Sequence, residues 1–426
     1  MAIEVARPRQ SWLVRPAGLP LWPLYAMFAL MPVWWGLGVL YFVWPFFGLV
    51  LFILMATRGR IRRPAGTAFT LAFLILVAIS AIRLEKSTTA LVFSLRLGHL
   101  LTGFLLGVYV YNLARDGVAW SRIANPLILY WLGLVALGWF GVLAPTFHVP
   151  SPFALLLPDG IASERYVSAL TTLSSTEFNP ASQNPIYRPA APYPYTNNWG
   201  TAYCFFVPIV LACLTAIRNR RTRVVLFVSL PLSVVPAYLT LNRGMFIGLG
   251  AGLLYLLGRE IARGRVRLML PIAVIVLAGW IITLFIPVVE LIDNRTSTTA
   301  STRDRLDIYA QTWSAVMRSP LIGYGHPTTV DTTYAAEPLG TQGLLWQLLY
   351  SHGIPATIVF YLIFAVIARR MAAAVTPTGL WLSSLPVIAV IITPFYSYVD
   401  PNLAVLFGAI GLGLAAVDGP VNRGAT

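Results

Sequence analysis

Long apolar runs alternate with short polar breaks from about residue 21 to about residue 417. A bilayer-spanning helix needs about 20 mainly apolar residues. By that measure about twelve spans are predicted, at 21–38, 40–57, 66–82, 89–111, 124–143, 200–217, 224–241, 244–258, 268–289, 343–368, 379–396 and 401–417. The first two could instead form a re-entrant pair. Two connections are long, 144–199 and 290–342, and the others are short. Long loops between packed elements usually carry function. The second one has a helical pattern of its own, with Leu306, Tyr309, Ala310, Trp313 and Val316 recurring as on an amphipathic surface helix. The expected fold class is all-α: a single transmembrane domain over 1–426 with about 12 helices and two long loops on one side.

Composition supports this reading. Hydrophobic residues make up 58% of the chain and charged residues 11%, against roughly 25% charged in soluble domains. No stretch is left for a separate soluble domain. The net charge of +15 does not indicate a nucleic-acid partner, because it lies in short breaks between spans. Lys86 is the only lysine; the arginines cluster at 58–63, at Arg115 and Arg122, at 218–223, at 258–267 and at Arg369–Arg370. With both tails, one side holds about 20 of the 30 basic residues and about 4 of the 15 acidic ones. The positive-inside rule puts that side, and both termini, in the cytoplasm of a multi-pass cell (inner) membrane protein, and the long loops outside. Arg7, Arg9 and Arg15 precede no small-residue cleavage site, so the N-terminus reads as a tail and not as a removed signal. Cys204 and Cys213, nine residues apart in one apolar run, read as packing. No Asp-x-Asp, His-Glu-x-x-His or paired-cysteine pattern implies a metal, no cofactor is implied, and no Gly-rich loop implies an ATP-driven pump.

The chemistry-bearing stretch is STRDRLDIYAQTWSAVMRSPLIGYGHP, 301–327. Arg303 and Arg305 open its helical pattern, with Asp307 four residues after Arg303 as a possible ion-pair partner. Arg318-Ser319-Pro320 ends it, and Gly323-Tyr324-Gly325 makes a permissive turn. Upstream, Asn242-Arg243-Gly244 joins two spans tightly. Downstream, GTQGLLWQLLYSHGIPA enters another. This set resembles the O-antigen ligase and polymerase family of lipid-linked glycan transferases. The family pattern is Gly-Arg-x-x-x-Trp, then Pro-x-x-Gly-x-Gly. Here Arg305 is followed by Tyr309 in the Trp place, and then by Pro320, Gly323 and Gly325. The family's Ser-Arg-Gly step matches 242–244, and its late helix glycine matches Gly353. Eleven residues before Gly353, where the family has a histidine, stands Gln342; His326 or His352 could act from nearby. The resemblance covers roughly 200–370.

The resemblance implies a GT-C-like membrane glycosyltransferase, a ligase or a polymerase. It would move a glycan from a polyprenyl-diphosphate carrier to a glycan or lipid acceptor outside the cytoplasm, without a metal. Departure of the diphosphate leaves negative charge, which fixed guanidinium forks stabilise. Arg243 and Arg305 are the candidates, with His326, then Glu337, for the proton. The bland alternatives are a snorkelling Arg243 and solvated loop charges at Arg303 and Arg305. Arg96 and His99 share a helix face inside a span, where charge is expensive and usually has a cavity or a partner. Structural pairing, with a carbonyl or with Glu85 or Glu290, is the other reading. In the first long loop Tyr193, Tyr195, Trp199 and Tyr203 offer sugar-stacking faces, and Asn197 and Asn198 offer amides. The substrate-binding set is therefore Arg96, His99, Arg303, Asn198, Trp199 and Gln342, with membrane lipids around it. None of the outer carboxylates, Asp400 among them, is singled out by spacing. The rival readings are a transporter or flippase for a lipid-linked or amphipathic anion, and an inactive envelope scaffold.

Overall fold

A computed structural model describes residues 18–162, 164–178, 186–264, 299–327 and 339–419. A π-helical turn at Tyr25–Ala29 leads to α1 (Met31–Leu37), then α2 (Leu40–Arg58), α3 (Thr67–Ser80), α4 (Ser87–Arg115) and α5 (Trp120–Leu143). The long connection after α5 holds two small antiparallel hairpins. In them β1 (His148–Pro150) pairs with β2 (Thr172–Ser174), and β3 (Thr176–Glu177) with β4 (Arg188–Pro189). The short α6 (Arg165–Thr171) sits between the first pair. There follow α7 (Thr196–Ala216), α8 (Arg220–Leu239), α9 (Arg243–Ala262), α10 (Thr299–Arg318), α11 (Leu344–Met371), α12 (Pro377–Leu382), α13 (Leu385–Ile392) and α14 (Pro401–Asp418).

Among the described residues eight helices are long and apolar enough to cross a membrane: α2, α4, α5, α7, α8, α9, α11 and α14. The chain is a multi-pass membrane protein. Three further expected spans take other forms. The run 21–38 is broken, with Pro32 at a helix start and Gly38 at φ 78 ending α1. The run 66–82 gives a 14-residue helix and a 3₁₀ turn. The run 379–396 splits at Ser383 and Ser384, whose hydroxyls bond back to Leu380 O and Trp381 O just before Pro386. The expected span 268–289 lies outside the described residues.

At the centre, α14 packs on α4 with almost no side chain between them. A Cβ at Gly107 would stand 3.0 Å from Phe407 O, and one at Gly411 2.4 Å from Gly107 O. Such small residues let backbones touch where lipid provides no hydrophobic drive. Nearly all of α14 is buried, whereas α8 turns Val224, Phe227, Val228 and Leu232 outward, as a helix facing hydrocarbon does. At the arginine-rich end, several of the charges are tied down. Arg58 and Arg62 bond Asp116 at 2.7 and 2.8 Å, Arg370 bonds Asp418, and Arg263 donates to Ala372 and Ala374 carbonyls.

Candidate functional site

The opposite end of the bundle is where α7, α9, α11 and α14 begin. There α11 breaks at Gly353, with φ 81 and ψ 176. The break follows from Pro355, which has no N–H for the Ser351 carbonyl. The loop after α10 replaces the lost helix bonds. Gly325 N donates to Ser351 O at 2.8 Å, Tyr324 N to Tyr350 O at 2.9 Å, and Ile354 N to Pro320 O at 2.8 Å. Only glycine permits this approach. A Cβ at Gly323 would meet the Ser351 carbonyl carbon at 2.6 Å, and one at Gly353 would meet Leu321 backbone at the same distance. Pro320, Gly323, Gly325 and Gly353, far apart in sequence, thus form one lock. Tyr309 of α10 stacks on Trp346 of α11 with centroids 4.5 Å apart, and Tyr324 stacks on Tyr350 at 4.8 Å.

The lock closes a recess. Helix α3 stops at Ser80 after 14 residues, roughly 21 Å against a hydrocarbon core of about 30 Å. Polar residues Arg83, Glu85 and Lys86 follow. Ser80 Oγ lies 2.7 Å from His352 Nδ1. Beside this pair is a pocket of about 10 Å³ lined by Phe93, Arg96, Gly325, Gln347, Ser351 and His352, about the size of one water. The Arg96 guanidinium lies over the Tyr166 ring, 5.3 Å from its centroid. Tyr166 is brought there by α6, whose first turn is capped by Glu164 accepting from Val167 N. Gln347 accepts from Ser397 Oγ at 2.6 Å. His326, half-buried, shares Nδ1 with Pro327 O. Burial holds its imidazole below the usual range against that carbonyl, and the charges of Arg96 and Lys86 act in the same direction as burial. Arg96, His326 and His352 therefore occupy one electrostatic neighbourhood.

A second polar group adjoins the first through Tyr166, which feels the charges of both Arg96 and Asp400. Asp400 caps α14 and is 4% exposed. It accepts from Asn402 N at 2.7 Å, from Asn198 Nδ2 and, at 3.3 Å, from Asn402 Nδ2. Burial pushes its carboxyl up to about 7 although these hydrogen bonds oppose the rise. Asn402 Oδ1 in turn accepts from Tyr193 Oη at 2.7 Å, and Tyr193 Oη lies 2.8 Å from Tyr130 Oη. The sequence signal for this residue was Asp-Pro directly before an apolar run, a helix cap followed by proline at the first helical position.

Residues 224–361 match the family model Wzy_C, described as O-antigen ligase. That segment is similar to the O-antigen ligase family. No curated protein matches the chain. The matched segment runs from α8 into α11, so it holds Arg243, the lock, His326 and His352. Arg96 and Asp400 come from elements on either side of it.

Within the matched segment, Arg243 is exposed at the first position of α9. The buried Asn242 fixes that turn, accepting from Tyr396 Oη and donating to Thr196 O, both at 2.8 Å, while Gly244 N donates to Tyr396 Oη at 2.9 Å. Gln342 lies in the turn that opens α11. Arg303 and Arg305 fall in the first turns of α10, and their side chains lie outside the described residues, as does Glu337. Asn198 is held on Asp400. Trp199 is fully buried and stacked on Tyr203 at 5.4 Å, so its ring is engaged in packing. His99 is buried with its ring edge-on to Tyr41 at 5.7 Å, and does not line the recess with Arg96.

Proposed function

We propose that the protein is a membrane glycosyltransferase of the O-antigen ligase and polymerase kind. It moves a glycan from a polyprenyl-diphosphate carrier onto a glycan or lipid acceptor at the outer face of the cell membrane. One observation carries the reading: an intramembrane arginine, Arg96, lines a recess with His352, near His326, under the glycine lock of the matched segment. The tethered arginines at the opposite end fit a cytoplasmic side, which leaves the recess facing outward. Transfer breaks the anomeric C–O bond and leaves the electron pair on the diphosphate. Arg96 from below and Arg243 from the mouth of α9 would carry that charge, Arg305 joining from α10. Each preorganised donor of this kind is worth about 10²–10³ in rate.

The test is reconstitution of the purified protein in vesicles with the lipid-linked glycan pool extracted from cells lacking it. Release of polyprenyl diphosphate, lost in Arg96→Ala and Arg243→Ala, is the expected outcome. Passage of intact donor across the bilayer without cleavage would sink the reading.

A further inference from the structure

The recess holds a group able to take a proton, and its protonation pattern can be read from a single hydroxyl. This inference rests on the transferase reading above. Ser80 has one hydroxyl hydrogen, donated to the Val77 carbonyl at 2.6 Å. The same oxygen lies 2.7 Å from His352 Nδ1. With that hydrogen on the Val77 carbonyl, Ser80 accepts at the second contact and the hydrogen between them belongs to the imidazole, the tautomer that the test below reads directly. A neutral ring protonated at Nδ1 keeps its lone pair on Nε2. Phe93 holds the ring edge-on at 6.2 Å, and Nδ1 is committed to α3, so the opposite edge is the one left for the recess.

The recess has the chemistry of a hydroxyl site. Ser351 Oγ, in a residue 1% exposed, has no hydrogen-bond partner among the described residues. It lines the same space as Arg96, Gln347 and His352, and that space admits one water-sized group. The glycine lock delivers His352 there: Gly325 N holds Ser351 O, and Gly323 and Gly353 let the loop lie against the residues on either side of the ring.

We propose that His352 is the general base of the transfer, with Ser80 as the positioning residue that fixes its tautomer. The acceptor hydroxyl enters beside Ser351 and gives its proton to His352 Nε2. Its oxygen forms the new bond to the anomeric carbon as the carbon–oxygen bond to the diphosphate breaks, and the electron pair leaves on that oxygen. The imidazolium then returns the proton to the released diphosphate or to water. The position eleven residues before Gly353, Gln342, is then not required for the proton.

The test joins kinetics to a direct reading of the ring. In the vesicle assay with the extracted lipid-linked glycan pool, His352→Gln should lower kcat about 100-fold or more with the KM for donor unchanged. His352→Ala should behave alike and recover part of its rate with added imidazole. Ser80→Ala should lose about 10-fold in kcat, as a ring freed to take either tautomer would. Nitrogen-15 spectra of histidine-labelled wild type should show His352 protonated at Nδ1, and Ser80→Ala should shift that signal. Wild-type turnover in His352→Gln, or a wild-type ring protonated at Nε2, overturns the assignment while leaving the transferase reading standing. A wild-type protein that releases no polyprenyl diphosphate overturns that reading itself. If the variants do not fold, the wild-type spectrum alone decides the tautomer.

Discussion

Replacing Gly353 by alanine tests the lock at its tightest point. The residue sits at φ 81, ψ 176, a region essentially reserved for glycine, where another residue costs about 1–3 kcal/mol. The new Cβ would lie 2.6 Å from the Leu321 carbonyl carbon and oxygen and 2.8 Å from Pro320 O. These are backbone atoms, so the loop must move. Moving it forfeits three loop-to-helix hydrogen bonds, each worth roughly 0.5–1.5 kcal/mol, and loosens the Tyr324–Tyr350 stack. The expected loss is about 3–5 kcal/mol, with turnover falling as His352 loses its setting. Unfolding in mixed micelles, titrated with a denaturing detergent, measures it against Gly250→Ala on α9. A Cβ at Gly250 meets nothing within 4 Å, so that variant should stay within about 1 kcal/mol of wild type. Equal stability of the two variants, with turnover intact in both, would refute the lock.

Other changes follow from the same packing. Tyr309→Ala should remove a stack worth about 0.5–1.5 kcal/mol beyond its buried area and lower turnover. Tyr309→Trp, which keeps an aromatic ring on Trp346, should stay within about 3-fold of wild type in the vesicle assay. Folding raises the Asp400 carboxyl from 3.8 to about 7, so the folded state binds this proton more tightly and stability falls as pH rises through that window. Unfolding titrations from pH 4 to 8 should show that decline, and Asp400→Asn should flatten it. Asp116→Ala should destabilise by about 1–3 kcal/mol, because Arg58 and Arg62 lose their carboxylate while keeping some access to water. The loss should appear in the micelle titration and shrink at high salt.

What could be read from sequence was what depends on local pattern. Apolar runs of full span length gave α2, α4 and α7, and the offsets of Pro320, Gly323 and Gly325 marked a shared turn before its partner was known. The broken runs were less legible, because Pro32 with Gly38, and Ser383–Ser384 with Pro386, interrupt helices without reducing hydrophobicity. The site needed the third dimension. Nothing in SLRLGHLLTGF says that Arg96 reaches the recess while His99 packs on Tyr41. Trp199 looked like a sugar platform because its loop is polar, but its ring lies under Tyr203. Asp400 stood among many outer carboxylates until burial and the two asparagines distinguished it. His352 gained meaning only when α3, far away in sequence, proved to stop at Ser80.

The most direct measurement is the fate of the carrier in vesicles holding the purified protein and its lipid-linked glycan pool. Free polyprenyl diphosphate should accumulate as the glycan appears on a new acceptor, and Arg96→Ala should reduce both at least 100-fold. Donor that crosses the bilayer with its glycan still attached, or carrier released as fast by Arg96→Ala as by wild type, would rule out glycan transfer at the Arg96 recess.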